Sequence, residues 1–327
     1  MVERMIAISM VMLAALFLMI GCEGDQGPAG QDAATVCTDC HNDNTLIVAI
    51  AAQWGTSVHA SGGTLNENMS SCSPCHTSEG FIAYLATGDG GAPENPSAIG
   101  CFTCHEPHTN YNFDRRTTAP VTLRQGGGTF DSQNGDANLC ANCHQARAAS
   151  PQIPTSGEVK ITSKRWGPHH GPQGNVLSGN SAYEFTGPYD SSTPHYIAGC
   201  PTCHMAPAVG IMAGGHTMGL IEEGDDYVAG CEASECHTVV DDFNYHGVQD
   251  SVDVLIGALR SALIDANILD SSDYALVPTG DTLTLSITQA GALFNFQMFR
   301  EDRSLGVHNP NYAIAALNAS VEAMAGR

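Results

Sequence analysis

The spacing of cysteine and histidine constrains this chain more than any other feature. Five times the sequence reads Cys-x-x-Cys-His: Cys37, Cys40 and His41; Cys72, Cys75 and His76; Cys101, Cys104 and His105; Cys140, Cys143 and His144; Cys200, Cys203 and His204. A sixth group, Cys231, Cys236 and His237, has four residues between its cysteines. Together the six groups use all but one of the 13 cysteines. Two thiols at this spacing can reach the two vinyl groups of one porphyrin and form thioethers. The histidine that follows then brings an imidazole to the iron from the proximal side. The wider sixth loop still spans a porphyrin edge. The expected cofactor is haem c, six per chain. Zinc sites also use Cys-x-x-Cys, but they do not demand a histidine directly after the second cysteine every time. A disulfide framework gives no reason for the histidine either.

Each haem iron takes two axial ligands, and the chain has 14 histidines. The six motif histidines leave eight others: His59, His108, His169, His170, His195, His216, His246 and His308. Full bis-histidine ligation uses six of these and favours low potentials. Methionine is the competing ligand and raises the potential. Outside the first 20 residues the methionines are Met69, Met205, Met212, Met218, Met298 and Met324, most of them suited to filling a core. Local context ranks the histidines. His108, in CHEPH, points away from its own haem towards a neighbour. His59 follows an expected helix. His216 lies in GGHTMG, where a glycine backbone can approach a porphyrin closely. His195 stands just before the fifth motif. His169 and His170 are adjacent, so their side chains point apart. His308 opens a helix, and His246 is the weakest choice.

Residues 6–20, IAISMVMLAALFLMI, are apolar and uncharged. The run is short for a membrane span and suits the h-region of a signal peptide. It ends at Met19-Ile20-Gly21-Cys22, which resembles a bacterial lipoprotein box. On that reading residues 1–21 are a lipoprotein signal peptide and Cys22 is the lipidated first residue of the mature protein. An ordinary leader cleaved nearby is the alternative. Either implies export, which suits c-type haem attachment in bacteria. Residues 22–35 read as a flexible spacer from the membrane. No later segment is apolar enough to span a bilayer.

The formal charge is −22, with only 12 lysines and arginines. A nucleic-acid role is disfavoured, because a phosphate backbone needs a basic surface. Residues 36–250 form the expected six-haem region, rich in loops and poor in ordinary core. Helices are expected over 43–54 and 80–86, and short strands within 121–131 and 157–163. Residues 251–327 lack cysteine and form a helical region. Val252, Leu255, Ile256, Leu259, Leu263 and Ile264 recur at helical spacing, with Asp250 or Ser251 as a cap. A second apolar run covers 287–302, and Asn309-Pro310 reads as a cap followed by proline at the first helical position. The fold class expected is a multihaem cytochrome c: loop-rich, mainly α with few short strands, a core of packed haems and a C-terminal helical bundle.

Several stretches carry a family likeness: WGTSVHA, CSPCHTSEGFIAYLATG, CFTCHEPH, WGPHHGPQGNVLSG, CPTCHM followed by GGHTMG, and DRSLGVHNPNYAIAAL. Through them the sequence resembles the multihaem cytochromes of metal-reducing bacteria, including filament-forming outer-surface cytochromes. More distantly it is similar to the pentahaem nitrite reductase and hydroxylamine oxidoreductase superfamily. The resemblance implies that His59, His108, His169 or His170, His195, His216 and His308 are distal ligands. It implies electron transfer at the cell envelope or surface, in extracellular or anaerobic respiration. The partners would be other redox proteins or extracellular acceptors, with a lipid anchor at the outer membrane and a homo-oligomer or filament as an option. A nitrite- or hydroxylamine-type oxidoreductase is the alternative, and it needs an iron with an open position. Because the haems supply the core, the apoprotein is expected not to fold; native-like circular dichroism from haem-free chain would overturn that.

Overall fold

The computed structural model describes residues 45–61, 67–110, 112–124, 128–132, 135–147, 153–232 and 236–326. The expected signal peptide, Cys22, the spacer and the first motif, Cys37, Cys40 and His41, lie outside them. The chain divides into two compact units, Met1–Ile47 and Val48–Arg327. Only residues 45–47 of the first are described, so the architecture is that of the second.

The described chain is rich in helix, with few short strands and no barrel. Six helices exceed two turns: α1, Thr45–Thr56; α2, Ser78–Thr87; α3, Thr193–His204; α4, Val248–Asp265; α5, Ile287–Asp302; and α6, Pro310–Met324. Single-turn helices at Ser73–His76, Cys101–Cys104, Asn138–Ala141 and Ala229–Glu232 each carry at least one cysteine of a motif, and Cys101–Cys104 carries both of its own. The fifth motif closes α3. The strands are β1, Val121–Thr122; β2, Thr129–Phe130; β3, Glu158–Ile161; β4, Ile221–Glu222; β5, Asp225–Asp226; and β6, Leu283–Ser286. They make three antiparallel pairs, β1 with β2, β3 with β6, and β4 with β5. The expected strand segments at 121–131 and 157–163 contain β1, β2 and β3. The partner β6 was not expected. It is found through pairing across a long sequence separation, with Ile161 opposite Leu283 and Glu158 opposite Ser286.

Local chemistry explains where the helices start and stop. The Thr77 hydroxyl accepts from the Gly80 amide and caps α2, which ends at Gly88 in a left-handed conformation. α5 begins with a capping box: the Ser286 hydroxyl accepts from the Gln289 amide, and the Ser286 amide donates to the Gln289 side chain. α4 starts earlier than expected, at Val248 after a left-handed Gly247. Asp250 and Ser251 therefore sit inside its first turn rather than capping it. Ser251 donates back to the Gly247 carbonyl at 2.7 Å, and Asp250 complements the positive end of the helix. Pro310 is the first residue of α6, behind an Asn309 cap. Asn309 is fully buried; its amide group also bonds the Ser192 amide, the Ser191 hydroxyl and the Leu177 carbonyl. One side chain thus ties the start of α6 to the loop before α3.

The main core is built by the C-terminal helices together with residues 153–189. Val252, Leu259 and Leu263 of α4 meet Leu293, Phe294, Phe296 and Phe299 of α5 and Tyr312, Ala316 and Leu317 of α6. Ile161, Val176 and Ala182 complete it. α5 is buried almost all round, as befits a central helix. Its polar residues are satisfied: Asn295 exchanges two hydrogen bonds with the Tyr183 backbone and donates a third to Ser320. Gly291 is needed here, because a Cβ would lie 2.4 Å from the Tyr183 ring. A second, smaller core joins Val121, Leu123, Phe130, Ala137, Ala141 and Leu177, with Tyr196 and Cys200 against it. Leu263 is at 0% exposure, and Leu263→Ala is expected to lower unfolding stability by about 2–5 kcal/mol, read as a depressed melting temperature in calorimetry.

Candidate functional site

The motif histidines are not isolated. Each of the five described ones faces a histidine from elsewhere in the chain. His144 faces His59, with ring centroids 6.0 Å apart. His76 faces His169 at 6.5 Å, and His105 faces His216 at 6.2 Å. His237 faces His195 at 6.1 Å, and His204 faces His308 at 6.3 Å. The distances lie within the range of edge-to-face ring contacts, and they also suit a shared metal. Two metal–imidazole bonds of about 2 Å, plus about 1.1 Å from each bonded nitrogen to its ring centre, place two centroids about 6 Å apart. The gap in every pair therefore fits one metal ion held by two imidazoles.

The tautomers suit this use. The Nδ1–H groups of His105, His195 and His204 donate to the carbonyls of Asp114, Val307 and Met218, at 3.3, 2.8 and 3.1 Å. His144 donates to Gln173 Oε1 at 3.4 Å. That amide is oriented by its own Nε2, which donates to the Glu301 and Asp302 carbonyls. His59 donates to the Met218 thioether at 3.0 Å, and His308 donates to the Asp302 carboxylate at 2.7 Å. With Nδ1 engaged, Nε2 keeps its lone pair for a metal, the arrangement by which outer partners orient ligand histidines. Burial also keeps the rings neutral, the form that binds metal. It pushes His59 and His169 down to about 4, helped by the neighbouring His144 and His170 respectively. It lowers His76, His144, His195, His204 and His216 as well. Burial acts downward on His308 too, but the Asp302 carboxylate outweighs it and that group titrates above its usual range.

Met218 is one of the six methionines that the sequence offers as competing ligands, most of them suited to core filling. It adopts a left-handed φ of 56°, at a cost of about 1–3 kcal/mol for a non-glycine residue. That conformation turns its sulfur to His59 and its carbonyl to His204, while His216 lies two residues before it. Asp302 and Gln173 were also not singled out from sequence. Their signal lay in their nearness to the tandem histidines and to His308, within the stretches WGPHHGPQGNVLSG and DRSLGVHNPNYAIAAL.

The tandem pair is resolved by backbone. His169 has a left-handed φ of 70° and faces His76, while His170 turns aside and bonds Glu301 at 2.6 Å. His246 also has a left-handed φ and lies against Tyr245, with ring centroids 4.1 Å apart. His108 packs near Phe102, at 5.4 Å between centroids. The sixth motif brings His237 opposite His195 much as the other motifs do, despite its longer loop. Its residues 233–235 fall outside the described chain.

None of the ten described cysteines is in a disulfide. Among the described residues, no group of three or more histidine, cysteine, aspartate or glutamate side chains is placed to hold a metal ion. The imidazoles meet in pairs, whereas a structural zinc site gathers four ligands. Thiols of different motifs lie close together. Cys75 and Cys143 are hydrogen-bonded, as are Cys140 and Cys200. The Cys143 thiol also lies 3.5 Å from the Pro74 carbonyl. Gly199, left-handed at φ 69°, kinks α3 just before Cys200. A Cβ there would lie 3.0 Å from the Ala137 Cβ, so this glycine lets the fourth and fifth motifs approach. A Cβ on Gly230 would lie 2.5 Å from the Cys203 Cα, which sets the sixth motif against the fifth.

No protein-family model matches the sequence, and no curated protein matches it. Among solved structures, the chain is similar to the outer cell wall cytochrome OcwA, at 20% identity and a TM-score of 0.49. The likeness covers 83% of this chain and 49% of that one, so the chain spans about half the length of that cytochrome.

His169 and His170 offer a direct check on the pairing. In haem-loaded protein, His169→Ala is expected to turn one haem high-spin, and His170→Ala none; electron paramagnetic resonance reads both.

Proposed function

We propose that this chain is a multihaem c-type cytochrome that carries six haems and transfers electrons through them. The observation that carries the reading is the five opposed histidine pairs. Each pairs a histidine that directly follows a thioether-forming cysteine with one from a remote segment, at a spacing that fits a single iron. When bound, the haems supply one-electron redox chemistry between ferric and ferrous iron. The chain's residues attach them, close both axial positions and exclude water and small ligands. The adjacent cysteines of the second and fourth motifs, and of the fourth and fifth, would bring cofactor edges near each other, which short-range electron hopping requires.

For the first motif, outside the described residues, we assign His108 as the partner of His41. The other five distal positions are taken by His59, His169, His195, His216 and His308, while His170 is engaged by Glu301 and His246 lies on Tyr245. This gives six bis-histidine irons. An enzyme of the nitrite or hydroxylamine type would need one iron left open. The five described pairs are closed on both sides, so electron conduction is the reading they favour. Export, a tether through a lipidated Cys22, and delivery to other redox proteins or extracellular acceptors complete the proposal. They rest on the sequence of the leader and on the family resemblance.

A pyridine haemochrome assay joined to electron paramagnetic resonance tests it on purified protein. Six covalent haems per chain, all low-spin, are expected, with carbon monoxide leaving the reduced spectrum unchanged. Fewer haems, or a high-spin ferric signal with a haem that binds carbon monoxide, would overturn the closed-conduit reading.

A further inference from the structure

The ligand histidines differ in what holds the nitrogen turned away from the metal. His105, His195 and His204 donate to backbone carbonyls, His144 to an amide oxygen and His59 to a thioether. All of these acceptors are neutral. Among the described ligand histidines only His308 is hydrogen-bonded to a carboxylate, that of Asp302. The Asp302 side chain is 1% exposed. Its other oxygen accepts from the Ser304 hydroxyl. Asp302 is also the last residue of α5, where the helix carbonyls disfavour an anion. The nearby Arg300 pairs with Glu301 and Asp273, and among the described residues no arginine or lysine pairs with Asp302. A buried anion in so unfavourable a place has one ionic partner, the ring of His308.

We propose that Asp302 makes the iron held by His204 and His308 the lowest in potential of the five described sites. The inference rests on the haem reading above. A carboxylate at Nδ1 draws the imidazole proton towards itself and makes Nε2 a stronger donor. Stronger donation stabilises ferric over ferrous iron, and hydrogen bonding around the ligands is one of the means by which a protein sets a haem potential. The redox step is simple. One electron passes from the ferrous iron of a neighbouring motif to this ferric iron. No bond forms or breaks, and the proton stays between His308 and Asp302. The site is also interior. Its motif touches the fourth through Cys140 and Cys200, and the sixth through Cys203 and Gly230. An electron crossing between those two neighbours therefore meets the lowest-potential iron midway.

The test is a potentiometric titration of the haem-loaded protein, followed by absorption and electron paramagnetic resonance at neutral pH. His108→Ala sets aside the haem assigned to the first motif, and His308→Ala identifies the site, because the lowest of the remaining five low-spin components should become high-spin. Asp302→Asn should shift that one component upward while all haems stay low-spin, and Asp302→Glu should return it towards the wild-type value. If Asp302→Asn does not fold, Ser304→Ala serves instead. Removing the second donor from the carboxylate should move the same component further down. The proposal is overturned if Asp302→Asn keeps six low-spin haems with the lowest of those five components unmoved, if His308→Ala leaves that component in place, or if Ser304→Ala leaves its midpoint unchanged. A wild-type preparation without covalent haem would fail the cytochrome reading, a result distinct from all of these.

Discussion

Two imidazoles set about 6 Å apart form the recurrent interaction on which this structure depends, and in six of the ten rings the outer nitrogen is already engaged. Each pair brings a motif on a short helix to a histidine from another part of the chain. The demands on the surrounding fold follow from it. A ring must be buried enough to stay neutral, its Nδ1–H needs an acceptor, and the acceptor must be held still. In three of the six engaged rings the structure meets these needs with backbone carbonyls, those of Asp114, Met218 and Val307. That economy suits a loop-rich region with little side-chain core. The same reasoning explains the left-handed residues at His169 and Met218, where backbone strain is exchanged for an aimed donor or acceptor.

The two halves of the problem differed in how much the sequence disclosed. The motifs could be read directly, because covalent chemistry fixes their spacing. The candidate partners were legible as a surplus of histidine, and five of them meet motif histidines in the structure. The choice between His169 and His170 could not be read, since it turns on one left-handed φ that no residue type announces. β6 escaped notice because its pairing with β3 is long-range. α4 begins at Val248 rather than after a polar cap, because Gly247 in a left-handed conformation starts the helix. Met218, Gln173 and Asp302 lie within the stretches that carry the family likeness, but nothing in those stretches marks them as hydrogen-bond partners of the histidines. Their roles arise from tertiary placement around rings that the sequence had already flagged.

Charge and packing divide along the chain. The C-terminal helices hold an ordinary aromatic and aliphatic core, and α5 runs through it almost wholly buried. Its last turn, Arg300, Glu301 and Asp302, leaves that core and delivers polar contacts to His170, Gln173 and His308. The best-packed helix thus ends among the ligands, so rigidity gained by hydrophobic packing is passed to the imidazoles without a long polar network.

The order of the pairs along the chain has a further meaning. The spans 59–144, 76–169 and 105–216 overlap, and 195–237 and 204–308 overlap in turn, with 105–216 reaching into both. Once metal closes each pair, the chain is riveted into loops that interlock rather than follow one another. No segment between them can peel away alone, and the unfolded chain loses much of the entropy that would favour it. Such a protein should open all at once or hardly at all, and a protease that needs a loosened segment would find few places to begin.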